Sequence, residues 1–242
     1  MTSLEILGCR LDLLDADAAT QRIVELAEHG SAAQVVTLGT EMVVYAQKHE
    51  RFRAVINACA LSLCDTIGLL TVARWRGASL RERVTGVELL ERLCAAASRR
   101  LIPVYFLGGA PGVAADAAAI LEVRFRGLIV AGTGSGYFRD DDAADVAREI
   151  SASGARLLFA GMGSPRQEFW LAQYLAATGC GAGIGVGGSL DVISGRVTRA
   201  PAFARRLNIE WLYRLVTEPR RWRRQLALPR FVWLIARERL GA

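Results

Sequence analysis

The stretch P-V-Y-F-L-G-G-A-P-G-V, residues 103–113, reads as a strand that runs into a glycine turn and then into a helix. Residues 103–107 form a short apolar run of strand length. Gly108 and Gly109 allow a tight turn, and Pro111 opens an amphipathic segment that continues to about residue 126. A strand followed at once by a helix implies a crossover, and hence pairing with a parallel neighbour.

The same unit recurs on both sides. Apolar runs at 34–38, 61–64, 128–131, 157–160 and 182–186 each end in glycine or a small polar residue, with helical segments between them. Asp140, Asp141 and Asp142 precede a helix at 143–151, and Ser164-Pro165 opens another at 166–177. Residues 4–14 read as an N-terminal hairpin or edge strand. The predicted fold is α/β: a Rossmann-like, mostly parallel sheet with helices on both faces, plus a basic helical C-terminal appendage. The boundary is drawn between 1–195 and 196–242, because the alternation stops near Pro201.

Composition narrows the class. With 52% hydrophobic and 22% charged residues in a chain of 242, a large core is available and disorder is not expected. The cysteines, at 9, 59, 64, 94 and 180, show no C-x-x-C spacing, and His29 and His49 accompany none of them in a zinc pattern. Buried thiols in a reducing cytosol are expected. No basic-then-apolar leader opens the chain and no run of about 18 apolar residues occurs, so neither export nor a membrane span is expected. Net charge is +6, but residues 196–242 hold twelve arginines against three glutamates. That segment carries +9 and the rest −3, which points to an anionic partner.

In a doubly wound sheet ligands bind beyond the carboxyl ends of the strands, so the loops there are where chemistry is expected. Thr37 and Thr40, with Glu41, end the run at 34–38 and serve either as an ordinary cap or as site residues. Asp65 ends the run at 61–64, where a carboxylate either caps a helix or takes a proton from a bound hydroxyl. Arg83 lies in a polar stretch, as a solvated arginine or an anion clamp. The turn at Gly108 and Gly109 suits a phosphate or is structural. It matches G-x-G-x-x-G too loosely to predict a dinucleotide, and no cofactor is expected.

In G-M-G-S-P-R-Q-E, residues 161–168, Gly161, Gly163, a cap serine and a first-turn proline converge on Gln167, which is predicted at the pocket mouth. In G-V-G-G-S-L-D, residues 185–191, Gly187 and Gly188 admit a ligand close to the backbone or pack on a helix, and Asp191 is placed to bond a ribose or base. Asp140–Asp142 resembles a D-x-D metal site, but the helix dipole explains three acids at a helix start, so no metal site is predicted. In the tail, Trp222, Leu226, Leu228, Phe231, Trp233 and Leu234 beside the arginines favour an anionic membrane surface over nucleic acid.

Taken in order, these segments resemble the WecG/TagA/CpsF family, glycosyltransferase family 26, over nearly the whole chain. The segments that carry the resemblance are T-L-x-x-E-M-V (37–43), D-T-I-G (65–68), R-V-T-G (83–86), L-G-G-x-P-G (107–112), G-Y-F (136–138), the two glycine motifs, G-R-V-T-R-A-P (195–201) and E-W-L-Y-R-L-V-T-E-P-R-R (210–221). The resemblance implies inverting transfer from a UDP-sugar to a polyprenyl-diphosphate-linked sugar. It assigns Asp65 as base and sets Thr37, Arg83 and Gln167 around the reacting sugar. Tyr137, the glycine loop and Asp191 fall to the uridine region, and Arg214, Arg221 and Arg224 to the leaving diphosphate in place of a metal. It implies a cytoplasmic protein peripheral to the inner face of the membrane, with oligomeric state open. The family usually has asparagine and proline where this chain has Gly39 and Thr40, which leaves the donor sugar open between N-acetylmannosamine and a related hexose. That loss also motivates the rival reading, a non-catalytic nucleotide-binding module with a basic partner-binding tail.

Overall fold

The computed structural model describes residues 2–30, 32–198, 200–201, 213 and 227–239. Two antiparallel strands, β1 (Ser3–Ile6) and β2 (Cys9–Asp12), form the expected N-terminal hairpin. The main sheet has six strands: β3 (Ala33–Leu38), β4 (Leu61–Cys64), β5 (Val104–Gly108), β6 (Val130–Gly134), β7 (Leu157–Gly161) and β8 (Ala182–Gly185). All pair in parallel, in the order β4-β3-β8-β7-β5-β6. Among the described residues the α-helices are α1 (Ala16–His29), α2 (Thr40–Ala46), α3 (Glu50–Ala58), α4 (Ile67–Trp75), α5 (Gly86–Arg100), α6 (Val113–Arg124), α7 (Ala143–Ser153), α8 (Arg166–Tyr174), α9 (Ser189–Ile193) and α10 (Ala227–Arg239).

The predicted α/β class is the observed one, and the physical reason is visible along single strands. Val35 faces α1 and α5, whereas its neighbour Val36 faces α2 and α3; Phe106 and Leu107, and Phe159 and Ala160, divide in the same way. Strands covered on both faces need continuous apolar runs, which is what the sequence shows. The helices between them are delimited locally. Asp15 accepts from the backbone N–H of Ala18 at 2.9 Å to start α1, and Gly30, with φ 63°, ends it.

Two expectations shift. The apolar run at 128–131 is displaced from the strand it announces, because β6 continues through Gly132 and Gly134. Those glycines lie under the Tyr105 ring, where a Cβ on Gly132 would stand 2.6 Å from Cε2. Small residues there carry no hydrophobic signal. Further on, Pro165 rather than Ser164 occupies the cap position of α8.

The described part of the C-terminal segment docks on the body. Phe231 of α10 is buried at 2% exposure in the cluster formed by α2, α3 and α4, with Leu234 and Ile235 partly buried beside it. This corrects the expectation that Phe231 and Leu234 form a bilayer-facing side; Val232 and Trp233 are the large apolar residues of α10 left exposed. The Arg76–Glu238 ion pair fixes the far end of α10. Arg214, Arg221 and Arg224, together with Trp222 and Leu226, lie outside the described residues. Among the described residues no helix is long and apolar enough to cross a membrane.

Candidate active site

Connections leave the sheet in opposite directions from β5, which leads through α6 to the edge strand β6, and from β7, which leads through α8 inward to β8. Such a switch leaves a crevice at the carboxyl ends of the two strands. Its floor is bare backbone. Gly108 and Gly161 pair in register, and a Cβ on Gly108 would lie 2.6 Å from the Gly161 Cα. The Gly109 N–H donates to the Gly161 carbonyl at 3.1 Å, and the Gly136 N–H to the Gly109 carbonyl at 2.9 Å. A Cβ on Gly161 would meet the Gly187 carbonyl at 2.8 Å. The structure therefore gathers the predicted Gly108, Gly109, Gly161 and Gly187 into one cradle. A Gly108→Ala variant must move backbone rather than a side chain. A destabilisation of about 1–3 kcal/mol is expected, read as a lowered Tm.

Gln167 does not project into the mouth of the crevice as predicted. It is buried at 4% exposure, and its Oε1 accepts from the backbone N–H groups of Gly163 at 3.1 Å and Gly187 at 3.0 Å. The amide thus staples the loop after β7 to the loop after β8. Its Nε2 donates to Glu168 Oε1 at 2.7 Å. Thr37 reaches the same place from β3, its hydroxyl donating to the Gly185 carbonyl at 3.0 Å. Gly185 is the common neighbour, since a Cβ there would fall 2.6 Å from Gln167 Nε2.

At the end of β4, Asp65 does not cap α4, whose cap position is Thr66. Its backbone N–H donates to the Leu38 carbonyl, and its Oδ1 accepts from the N–H of Gly86, the first residue of α5, at 3.2 Å. The half-buried carboxylate is thereby held against the end of β3 and the start of α5. Arg83 lies just before the same turn. Both flank Cys64, whose thiol is pushed up to about 12, chiefly by burial, with Asp65 adding to the rise and Arg83 opposing it. An acid and a guanidinium at one strand end can take a proton from a hydroxyl and hold an anion beside it.

Tyr137 stands at the opposite end of the crevice, after β6. Five strand spacings separate β4 from β6, about 24 Å of sheet, so a ligand touching both ends must lie extended across the strand ends. Tyr137 is 76% exposed. Its backbone is braced by Arg166, which donates to the carbonyls of Gly136 at 2.8 Å and Phe138 at 2.6 Å, with its guanidinium 4.5 Å from the centre of the Phe138 ring. Asp191 is half-buried in the first turn of α9, which Gly188 precedes. Asp140–Asp142 form an exposed 3₁₀ turn ahead of α7.

Two residues of this neighbourhood, Arg166 and Glu168, escape the sequence reading. Arg166 carries no local signal, since its carbonyl partners lie about thirty residues away. Glu168 does carry one: with Leu171 and Leu175 it follows the i, i+3, i+7 spacing of a buried stripe, and all three are at most 2% exposed. Burial raises the Glu168 carboxyl above the usual range, while bonds from Gln167, Ser164 and its own backbone oppose the rise and Glu41 adds to it. Glu41 itself fills the space a side chain at residue 39 would take, its Oε2 lying 3.0 Å from where a Cβ on Gly39 would stand.

A crevice floored by glycine backbone, with an acid and an arginine at one end and an exposed tyrosine at the other, fits a nucleotide-activated donor and a hydroxyl acceptor. Comparison with known proteins bears on the same point. The chain is 35% identical, over 89% of its length and 83% of the relative's, to the N-acetylglucosaminyldiphosphoundecaprenol N-acetyl-beta-D-mannosaminyltransferase of Bacillus spizizenii. The model of the glycosyl transferase WecG/TagA/CpsF family matches residues 4–242. With that match running from the N-terminal hairpin through α10, the chain belongs to the WecG/TagA/CpsF family and is a glycosyltransferase.

Proposed function

We propose that this glycosyltransferase moves N-acetylmannosamine, or a related hexose, from a UDP-sugar onto a polyprenyl-diphosphate-linked sugar, with inversion at the anomeric carbon, in the synthesis of a bacterial envelope or exopolysaccharide. The observation that carries the reading is the near full-length similarity to an enzyme named for that acceptor class, N-acetylglucosaminyl-diphospho-undecaprenol. In this mechanism Asp65 takes the proton of the acceptor hydroxyl as its oxygen bonds to the anomeric carbon. The bond from that carbon to the diphosphate breaks, and UDP leaves with the electron pair. Arg83 holds charge beside the reacting sugar. Thr37 and Gln167 shape the pocket by fixing the ends of β3, β7 and β8 to one another. Tyr137 and Asp191 take the uridine, and the loop at Gly108 and Gly109, ahead of α6, faces the diphosphate. Arg214, Arg221 and Arg224 offset the charge of the leaving group.

The +9 of residues 196–242 supports a place at the inner face of the cell membrane, where a lipid-linked acceptor is presented. The reading expects UDP release when the protein is given a panel of UDP-sugars with a polyprenyl-diphosphate N-acetylglucosamine. Absence of release with every donor would overturn it. Because Tyr137 is exposed and the backbone on either side of it is braced by Arg166, Tyr137→Ala should leave Tm unchanged while weakening UDP binding about tenfold, the order of one lost base-stacking contact; calorimetric titration with UDP measures it.

A further inference from the structure

Among the described residues, Glu168 is the one strongly buried acid at this site with which the mechanism above does nothing. It is 1% exposed, its Oε1 accepts the Gln167 amide at 2.7 Å, and its Oε2 has no hydrogen-bond partner among the described residues. The bonding around Gln167 leaves its amide a single orientation. Two backbone N–H groups, from Gly163 and Gly187, converge on Oε1, so only oxygen can stand there and Nε2 must face Glu168. An acceptor is required beneath Nε2, because a buried amide donor left unpaired is costly. Glu168 is itself anchored, its backbone carbonyl accepting from the buried Gln34 of β3 at 3.0 Å.

We propose that Glu168 is a positioning residue for transfer: its buried carboxyl fixes the Gln167 amide, and through it locks the loops after β7 and β8 in the form that receives the donor. Glu168 touches no substrate. This rests on the reading that those loops hold a UDP-sugar. The requirement is for a hydrogen-bond acceptor, not a negative charge. The apolar surroundings favour the neutral acid, and the charged group acting on it from a neighbouring element, Glu41 of α2, favours it further. The other elements packed nearby present Gln34 of β3, Ser164 and, from α3, Arg51, whose guanidinium lies over the Phe169 ring at 5.4 Å.

The test uses full-length protein carrying Glu168→Gln or Glu168→Leu, titrated with UDP and assayed for UDP release. Glu168→Leu should weaken UDP binding and lower kcat about tenfold each, the order of one buried unpaired group, while Glu168→Gln stays close to wild type. In a Gln167→Met background Glu168→Leu should add little, since its effect passes through Gln167. Full activity in Glu168→Leu, equal damage by Glu168→Gln, or undiminished damage in the Gln167→Met background would each overturn the proposal.

Should Glu168→Leu not fold, thermal melts of Glu168→Gln against pH decide. A carboxyl raised on folding costs nothing below the ordinary carboxyl range. As pH climbs from that range to its folded value, stability is lost, because the unfolded chain releases the proton first. Wild type should therefore lose Tm relative to Glu168→Gln as pH rises, and a constant difference would count against a buried neutral acid. Failure of the transferase reading looks different: wild type itself would neither bind UDP nor release it.

Discussion

Asp65→Asn is expected to lower transfer by about 10²–10⁴-fold, the contribution typical of a general base, while UDP binding and Tm stay near wild type. The structure makes this substitution discriminating. The tether from the Gly86 N–H needs only an acceptor at Oδ1, and asparagine supplies one in the same position. If Asp65 merely joined β4 to the start of α5, the variant would turn over normally; if its role is to take a proton, turnover must fall. UDP release with the lipid acceptor, beside a UDP titration of the same protein, separates the two. Near-normal turnover would remove Asp65 from the mechanism.

Comparable losses are expected when Arg214, Arg221 and Arg224 are replaced together by alanine. Removing a single group aimed at developing charge costs about 10²–10³ in kcat, so the triple variant should fall by at least that much with its melting temperature retained. Deleting everything after residue 200 should also abolish transfer, but α10 changes what that result means. Phe231 is buried among α2, α3 and α4, and a Cβ on Gly68 at the start of α4 would lie 3.7 Å from its ring. Losing a buried phenylalanine costs about 3–5 kcal/mol, so the truncated protein loses core as well as charge. The arginine triple variant leaves Phe231 in place, and unchanged UDP release from it would end the proposed role.

Most of the strands and the helices after them could be read directly, because their information is local. Residues 61–64 are apolar except at Ser62 and form a strand buried at every position; Asp15 and Gly30 bound α1 by chemistry contained in a few residues. The candidate site was legible as a set of loops for the same reason, since parallel strands place their carboxyl ends on one edge. Where the reading slipped, the deciding contact was distant in sequence. β6 runs through glycines because Tyr105 lies across them, and Phe231 is a core residue because α10 returns to α2.

What the sequence determined by itself is the α/β alternation, the chemical inventory at the strand ends and the concentration of charge in the last residues, all fixed by composition and spacing within short windows. What only the tertiary structure decided is the work each polar group does. Gln167 staples two loops instead of lining the mouth of the pocket, Asp65 holds the start of α5 instead of capping α4, and Glu168 lies sealed beneath the amide it orients. A buried hydrogen bond depends on which strands become neighbours, and β3, β7 and β8, joined here by Thr37 and Gln167, lie more than a hundred residues apart at their extremes.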